Sequence, residues 1–159
     1  MVWEGLEKTL IFTGLEAKSD TEILQTLSCA LCSGGYVAED YCQEVVERER
    51  RFPTGIAARG MGVAIPHASS RYVYRDKTAI AVLKEPVTFA RMDKEHAFAE
   101  VRIVFMLALT DVDRHLEYLE RIVAFIQDQA VLEALRDAED AAAVIEIIRK
   151  KEMELCEKK

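Results

Sequence analysis

From Val101 to Leu109 the chain reads Val-Arg-Ile-Val-Phe-Met-Leu-Ala-Leu, and Arg102 is the one polar side chain in the run. Successive side chains of an extended segment point to opposite faces, so a strand apolar at odd and even positions alike has to be covered on both sides. That requirement predicts a central strand with helices packed above and below it. The rest of the chain supplies those helices.

Ser19-Asp20-Thr21-Glu22 has capping-box spacing, and Ile23, Leu24, Leu27 and Leu31 follow on one helical face until Gly34-Gly35 stops the helix. A second helix is expected from about Ala38 to Arg50, with Tyr41, Val45 and Val46 toward the core. Glu39 and Asp40 in its first turn and Arg48 and Arg50 in its last complement the helix dipole. From Asp113 onward Leu116, Leu119, Ile122, Val123 and Ile126 return to helical spacing, and further helices are expected over Val131–Arg136 and Asp140–Leu155. Lys8–Gly14 reads as a short first strand ending at glycine. Between Pro53 and Leu109 come glycines at 55, 60 and 62 and the apolar runs Val63–Ile65, Thr78–Leu83 and Val87–Phe89, separated by polar residues. This order predicts one three-layer α/β/α domain spanning residues 1–159, a mixed sheet flanked by helices.

Composition excludes several classes of function. Half of the 159 residues are apolar and 31% charged, as in an ordinary globule, and no apolar run approaches the roughly 20 residues needed to cross a bilayer. With no basic, apolar leader at the N-terminus, a cytoplasmic protein with no direct membrane insertion is expected. A net charge of −7, with no concentrated basic face, argues against a nucleic-acid partner. Cys29 and Cys32 form a C-x-x-C pair, but no second pair stands at metal-binding spacing; two small semi-buried helical side chains are expected rather than a redox or zinc site. His67, His96 and His115 fit no local ligand motif, and no P-loop or dinucleotide fingerprint occurs. Neither metal nor cofactor is expected.

Chemistry points instead to Met61-Gly62-Val63-Ala64-Ile65-Pro66-His67-Ala68. Ile65 is pushed toward extended geometry by the proline after it, and Pro66 cannot donate a ladder hydrogen bond, so the strand ends there. His67 then sits on a stiff backbone at the rim of the sheet. Its imidazole is a good nucleophile near neutral pH, because a reference pKa of roughly 6.5 leaves much of it unprotonated.

Arg48-Glu49 and Pro53-Thr54-Gly55 stand upstream of this stretch. Together the segments resemble the IIA domains of the bacterial phosphoenolpyruvate-dependent sugar phosphotransferase system, the superfamily with fructose, mannitol, galactitol and nitrogen-regulatory branches. The spacing from Phe52 to His67 looks most like the galactitol-type branch. The resemblance implies a phosphocarrier enzyme in which His67 accepts a phosphoryl group from the carrier HPr and passes it to a cysteine of a IIB component for sugar uptake. It also allows a regulatory module of the nitrogen-related type, whose phosphorylation state controls a partner protein.

Phosphoryl transfer between such groups needs in-line positioning and compensation of charge on three equatorial oxygens. Arg48 is the candidate for that compensation, since a planar guanidinium can hold two phosphoryl oxygens; Arg50 is its competitor on the same helix. Thr54 either donates its hydroxyl to the phosphoryl group or shapes the turn with Gly55. His115-Leu116 reproduces an H-L dipeptide that carries a second active-site histidine in the mannitol and fructose branches; otherwise His115 is an exposed residue in the first turn of its helix. Ile56, Met61 and Tyr72 are expected to contribute to a docking surface around His67.

Overall fold

The computed structural model describes residues 1–111 and 113–158. Five strands form one sheet: β1 (Ile11–Leu15), β2 (Gly55–Ala58), β3 (Met61–Ala64), β4 (Lys77–Ala90) and β5 (Phe98–Ala108), in the order β1-β4-β5-β3-β2. The sheet is mixed. β5 lies at its centre, antiparallel to β4 and parallel to β3, while β1 runs parallel to β4 and β2 forms an antiparallel hairpin with β3.

The alternation of β5 divides its side chains between two cores. Val104, Met106 and Ala108 pack with Leu27, Leu31, Tyr41 and Val45 from α1 (Asp20–Ser33) and α2 (Tyr41–Arg51). Ile103, Phe105 and Leu107 pack with Ile122, Phe125, Leu132 and Ile148 from α3 (Leu116–Ile126), α4 (Gln129–Arg136) and α5 (Ala141–Glu157). Each Val, Leu, Ile, Phe or Met side chain among them contributes roughly 1.5–3 kcal/mol when taken from water. Sheet and helices therefore form the three layers that the doubly apolar strand demands, with Arg102 satisfied by donating from Nε to the Leu83 carbonyl at 3.0 Å.

Several boundaries differ from the sequence-based expectation. Lys8–Leu10 is a 3-10 turn, and β1 contains Gly14 rather than ending at it. The second helix starts at Tyr41 because the chain before it is engaged elsewhere: Val37 bridges Val73, and the Ala38 N–H donates to the Tyr72 carbonyl at 2.8 Å. Glu39 and Asp40 consequently precede the helix. The runs Thr78–Leu83 and Val87–Phe89 are one strand, irregular between Val82 and Val87, where Lys84, Glu85 and Pro86 are exposed. Gly55–Ala58 was not anticipated as a strand.

Two glycines let β3 reach its place. Gly60, at φ +72°, closes the two-residue loop between β2 and β3. A Cβ at Gly62 would collide with the Glu100 carbonyl, so only glycine lets β3 approach β5 this closely.

Candidate functional site

β3 ends at Ala64, and the next three residues are tied to their neighbours one by one. Ile65 N–H donates to the Thr54 carbonyl at 3.4 Å, and the Pro66 carbonyl accepts from Leu107 N–H at 3.0 Å. His67 forms an isolated bridge with Leu107, where β5 itself is ending. That strand end is pinned from below: the Tyr41 hydroxyl, at the start of α2, donates to the Leu107 carbonyl at 3.2 Å. Burial pushes the Tyr41 phenol up, so it remains a neutral donor.

The His67 ring is half-buried, and its Nδ1 lies 3.0 Å from the Ile65 carbonyl oxygen. A carbonyl only accepts, so Nδ1 carries the proton and the neutral ring presents its lone pair at Nε2. Nε2 has no hydrogen-bond partner among the described residues and is not sealed from solvent. The ring borders a cavity of about 210 Å³ with otherwise apolar walls: Ile65, Ala68, Leu107, Leu109 and Leu119. Burial lowers the His67 pKa below its ordinary 6.5, the hydrogen bond to Ile65 raises it, and the nearby Arg48 charge lowers it further; the net direction is down.

Arg48 is exposed on the last turn of α2, its guanidinium over the Phe52 ring at 5.5 Å from the centroid. It has no acidic partner among the described residues, whereas Arg50 lies 3.7 Å from Glu47. Phe52 itself is 63% exposed. Of the apolar residues expected around His67, Ile56 and Tyr72 are half-buried, but Met61 is a core residue, packed with Val63 on the α3–α5 face.

Thr54 is 4% exposed and faces Glu49, which is 7% exposed. Thr54 N–H donates to Glu49 Oε1 at 2.8 Å, and the hydroxyl lies 3.0 and 2.9 Å from the two carboxylate oxygens. A hydroxyl has one proton, and here it is directed to Glu49, which corresponds to the turn-shaping alternative. Burial raises the Glu49 pKa and nearby Asp20 adds to this, while the two Thr54 donors pull it back. Sequence reasoning assigned Glu49 no role of its own, although it lies one helical turn beyond the inward-facing Val45.

His115 stands elsewhere. It immediately precedes α3, with Nε2 2.7 Å from Asp76 Oδ2 in a close contact that lacks hydrogen-bond alignment. Its ring packs edge-on against Tyr118, 6.4 Å between centroids. It borders a different cavity of about 220 Å³, shared with Tyr118, Arg121 and Glu152. Tyr118, pushed up to about 12 by burial, is hydrogen-bonded to Thr78. His96 is exposed at φ +59° in the turn between β4 and β5. Cys29 is exposed rather than semi-buried, and Cys32 is half-buried. Among the described residues no cluster of three His, Cys, Asp or Glu could hold a metal, and no helix is long and apolar enough to cross a membrane.

Known proteins match this architecture. The family model described as "Phosphoenolpyruvate-dependent sugar phosphotransferase system, EIIA 2" matches residues 4–151. The transcriptional regulator ManR of Bacillus subtilis is 35% identical over 126 residues, 74% of this chain and 18% of that protein. The fructose-specific EIIABC component of the same organism's phosphotransferase system is 29% identical over 151 residues, 92% of this chain and 23% of that protein. The chain thus spans about a fifth of the length of these two relatives. A solved complex of enzyme IIA mannitol with phosphorylated enzyme IIB mannitol from Escherichia coli superposes with a TM-score of 0.75 at 23% identity, covering 91% of this chain and 97% of that one. With the family model running over nearly its full length, the chain belongs to the EIIA 2 family of the phosphoenolpyruvate-dependent sugar phosphotransferase system.

Proposed function

We propose that this chain is a phosphocarrier in which His67 Nε2 is the temporary seat of the phosphoryl group. One observation carries the reading: Nδ1 is committed to the Ile65 carbonyl, which leaves the Nε2 lone pair without a partner among the described residues and within the field of the Arg48 charge. In the transfer, Nε2 attacks phosphorus as the bond to the donor's imidazole nitrogen breaks, and Nδ1 keeps its proton throughout. A thiolate of the acceptor then attacks the same phosphorus and the P–Nε2 bond breaks. Arg48, which has no acidic partner among the described residues, compensates the charge on the equatorial oxygens. The apolar walls around His67 offer a water molecule no hydrogen-bond partner beside the ring, which favours the protein acceptor over hydrolysis.

HPr is the proposed donor and a IIB-type cysteine the proposed acceptor, in the cytoplasm. Support for the acceptor comes from the fold neighbour whose solved complex contains phosphorylated IIB. The segment from Phe52 to His67 supports a sugar-uptake role of galactitol-like type. Within this reading Thr54 shapes the turn, and His115, held at Asp76, lies outside the phosphoryl path. Likeness to a transcriptional regulator over 18% of its length favours a second reading, in which the same chemistry at His67 switches a regulatory partner.

Incubation with phosphoenolpyruvate and the general phosphotransferase proteins is expected to label the wild type but not His67→Ala, through an acid-labile, base-stable bond. Equal labelling of the variant would exclude His67 as nucleophile. Adding separately purified IIB-type and regulator acceptors then distinguishes transport from regulation by which of them removes the label.

A further inference from the structure

We infer that Glu49 is a positioning residue for His67, holding the imidazole in its nucleophilic tautomer through the backbone of Thr54 and Ile65. This rests on His67 as the phosphoryl acceptor. Both peptide groups around the Thr54 Cα are occupied. Its N–H goes to Glu49 Oε1 at 2.8 Å, and its carbonyl accepts from Ile65 N–H at 3.4 Å. The Ile65 carbonyl in turn accepts from His67 Nδ1 at 3.0 Å. A continuous path of hydrogen bonds therefore runs from the Glu49 carboxylate to the far nitrogen of the nucleophile.

The charged end of that path is its strongest part. A carboxylate gathers two donors from one residue, N–H and hydroxyl, and charge-assisted bonds of this kind are stronger than neutral ones. The bond from Ile65 to Thr54, at 3.4 Å, is long and cannot by itself fix where the Ile65 carbonyl points. Orientation comes from holding Thr54 rigidly at its other side. With Thr54 at 4% exposure, no solvent replaces Glu49 if it is withdrawn, and the turn has to shift to satisfy the freed donors. The Ile65 carbonyl then loses its aim at Nδ1, the proton is free to move to Nε2, and the ring spends part of its time with no lone pair facing the phosphoryl donor.

Two measurements on Glu49→Gln test this. The variant keeps the volume but sets an amide NH2 against one of the two donors. The first is the ring 15N shifts of His67, which report the tautomer without any phosphoryl transfer. The wild type is expected to be the Nδ1–H form, and the variant a mixture. The second is the rate of phosphorylation by phosphoramidate, whose P–N bond breaks as P–Nε2 forms and ammonia leaves. It is expected to fall on the order of tenfold, and the rate with phospho-HPr to fall by the same factor with its KM unmoved. A folded Glu49→Gln with wild-type ring shifts and wild-type rates would overturn the proposal. If that variant does not fold, Thr54→Val, which removes the hydroxyl alone, takes its place: a smaller shift toward the mixed tautomer supports the path, and unchanged shifts overturn it. Should the wild-type protein take no phosphoryl group on His67, the acceptor reading falls while the 15N comparison still decides the role of Glu49.

Discussion

His67 and His115 follow the parallel strands β3 and β5, so both stand at the same end of the sheet, yet their rings meet opposite surroundings. At His67 a neutral carbonyl holds Nδ1, Nε2 has no partner among the described residues and the charge that acts on the ring is the cation Arg48. At His115 the carboxylate of Asp76 stands 2.7 Å in front of Nε2. An incoming phosphoryl group carries negative charge, so the first arrangement attracts it and the second repels it. Residue type is the same in both places. On the proposed reading, what suits one ring to seat a phosphoryl group and not the other is the sign of the charge nearest its Nε2.

The sharpest way to break this contrast is to remove each ring. His67→Ala is expected to lose phosphoenolpyruvate-dependent labelling completely, while His115→Ala retains it. Labelling on His115 in the His67→Ala background, read by mass spectrometry, would erase the distinction. Next in size is Arg48. Replacing one preorganised donor aimed at developing charge costs on the order of a hundredfold in rate, and Arg48→Gln is expected to slow phosphorylation by about that factor. Arg50→Gln, which disturbs only an exposed contact at 3.7 Å with Glu47, should leave the rate within experimental error. Stopped-flow transfer rates compare the two, and equal effects would mean that the cation at the site is misassigned.

A third experiment addresses the other cavity through stability. Glu152 is fully buried on α5, and its carboxylate accepts Val2 N–H at 3.0 Å and Trp3 N–H at 2.7 Å. The Arg121 guanidinium beside it donates to the Glu152 carbonyl. Glu152→Ala leaves two backbone donors unpaired and is expected to destabilise the fold by about 3 kcal/mol in urea titration, with the phosphorylation rate of the folded protein unchanged. A slower rate at unchanged stability would join this cavity to the chemistry and undo the separation of the two histidines.

How much of this was legible in the sequence depends on the range of the contact. The central strand was readable because Val101 to Leu109 is apolar on both faces, and β5 does divide its residues between two cores. Ser19 was readable as a cap because its hydroxyl accepts from Glu22 N–H, three residues on. The start of α2 was not, because Val37 and Ala38 are held by Val73 and Tyr72, which no local pattern reveals. The polar triplet Lys84-Glu85-Pro86 resembled a turn, yet it sits in an irregular stretch of β4 that continues past it. At the site, the end of β3 at Pro66 was legible from proline chemistry alone. The tie between Glu49 and Thr54 was within reach, because an acid four residues after an inward valine faces inward too. The contact of His115 with Asp76 depends on how β4 and β5 pair, and a dipeptide motif carries no information about that.

The smallest effect is a titration, and its sign follows from the same contrast. The folded-state pKa of His67 is depressed below 6.5, first by burial and also by Arg48. Unfolded chains therefore bind this proton more readily than the native protein. The contribution of the ring to stability is fully present above pH 6.5 and is lost as pH falls through the lower native value. For the chemistry the same depression keeps Nε2 unprotonated into mildly acidic solution, so the rate of phosphorylation should hold its plateau below pH 6.5 before it declines. Arg48→Gln removes one of the two lowering causes while leaving burial in place, so the midpoint should move upward, toward but not past the ordinary value. An NMR titration of the His67 ring in both proteins reads this directly. A wild-type midpoint above 6.5 would mean that the hydrogen bond to Ile65 outweighs burial and the Arg48 charge together, and the electrostatic half of the contrast between the two histidines would fall.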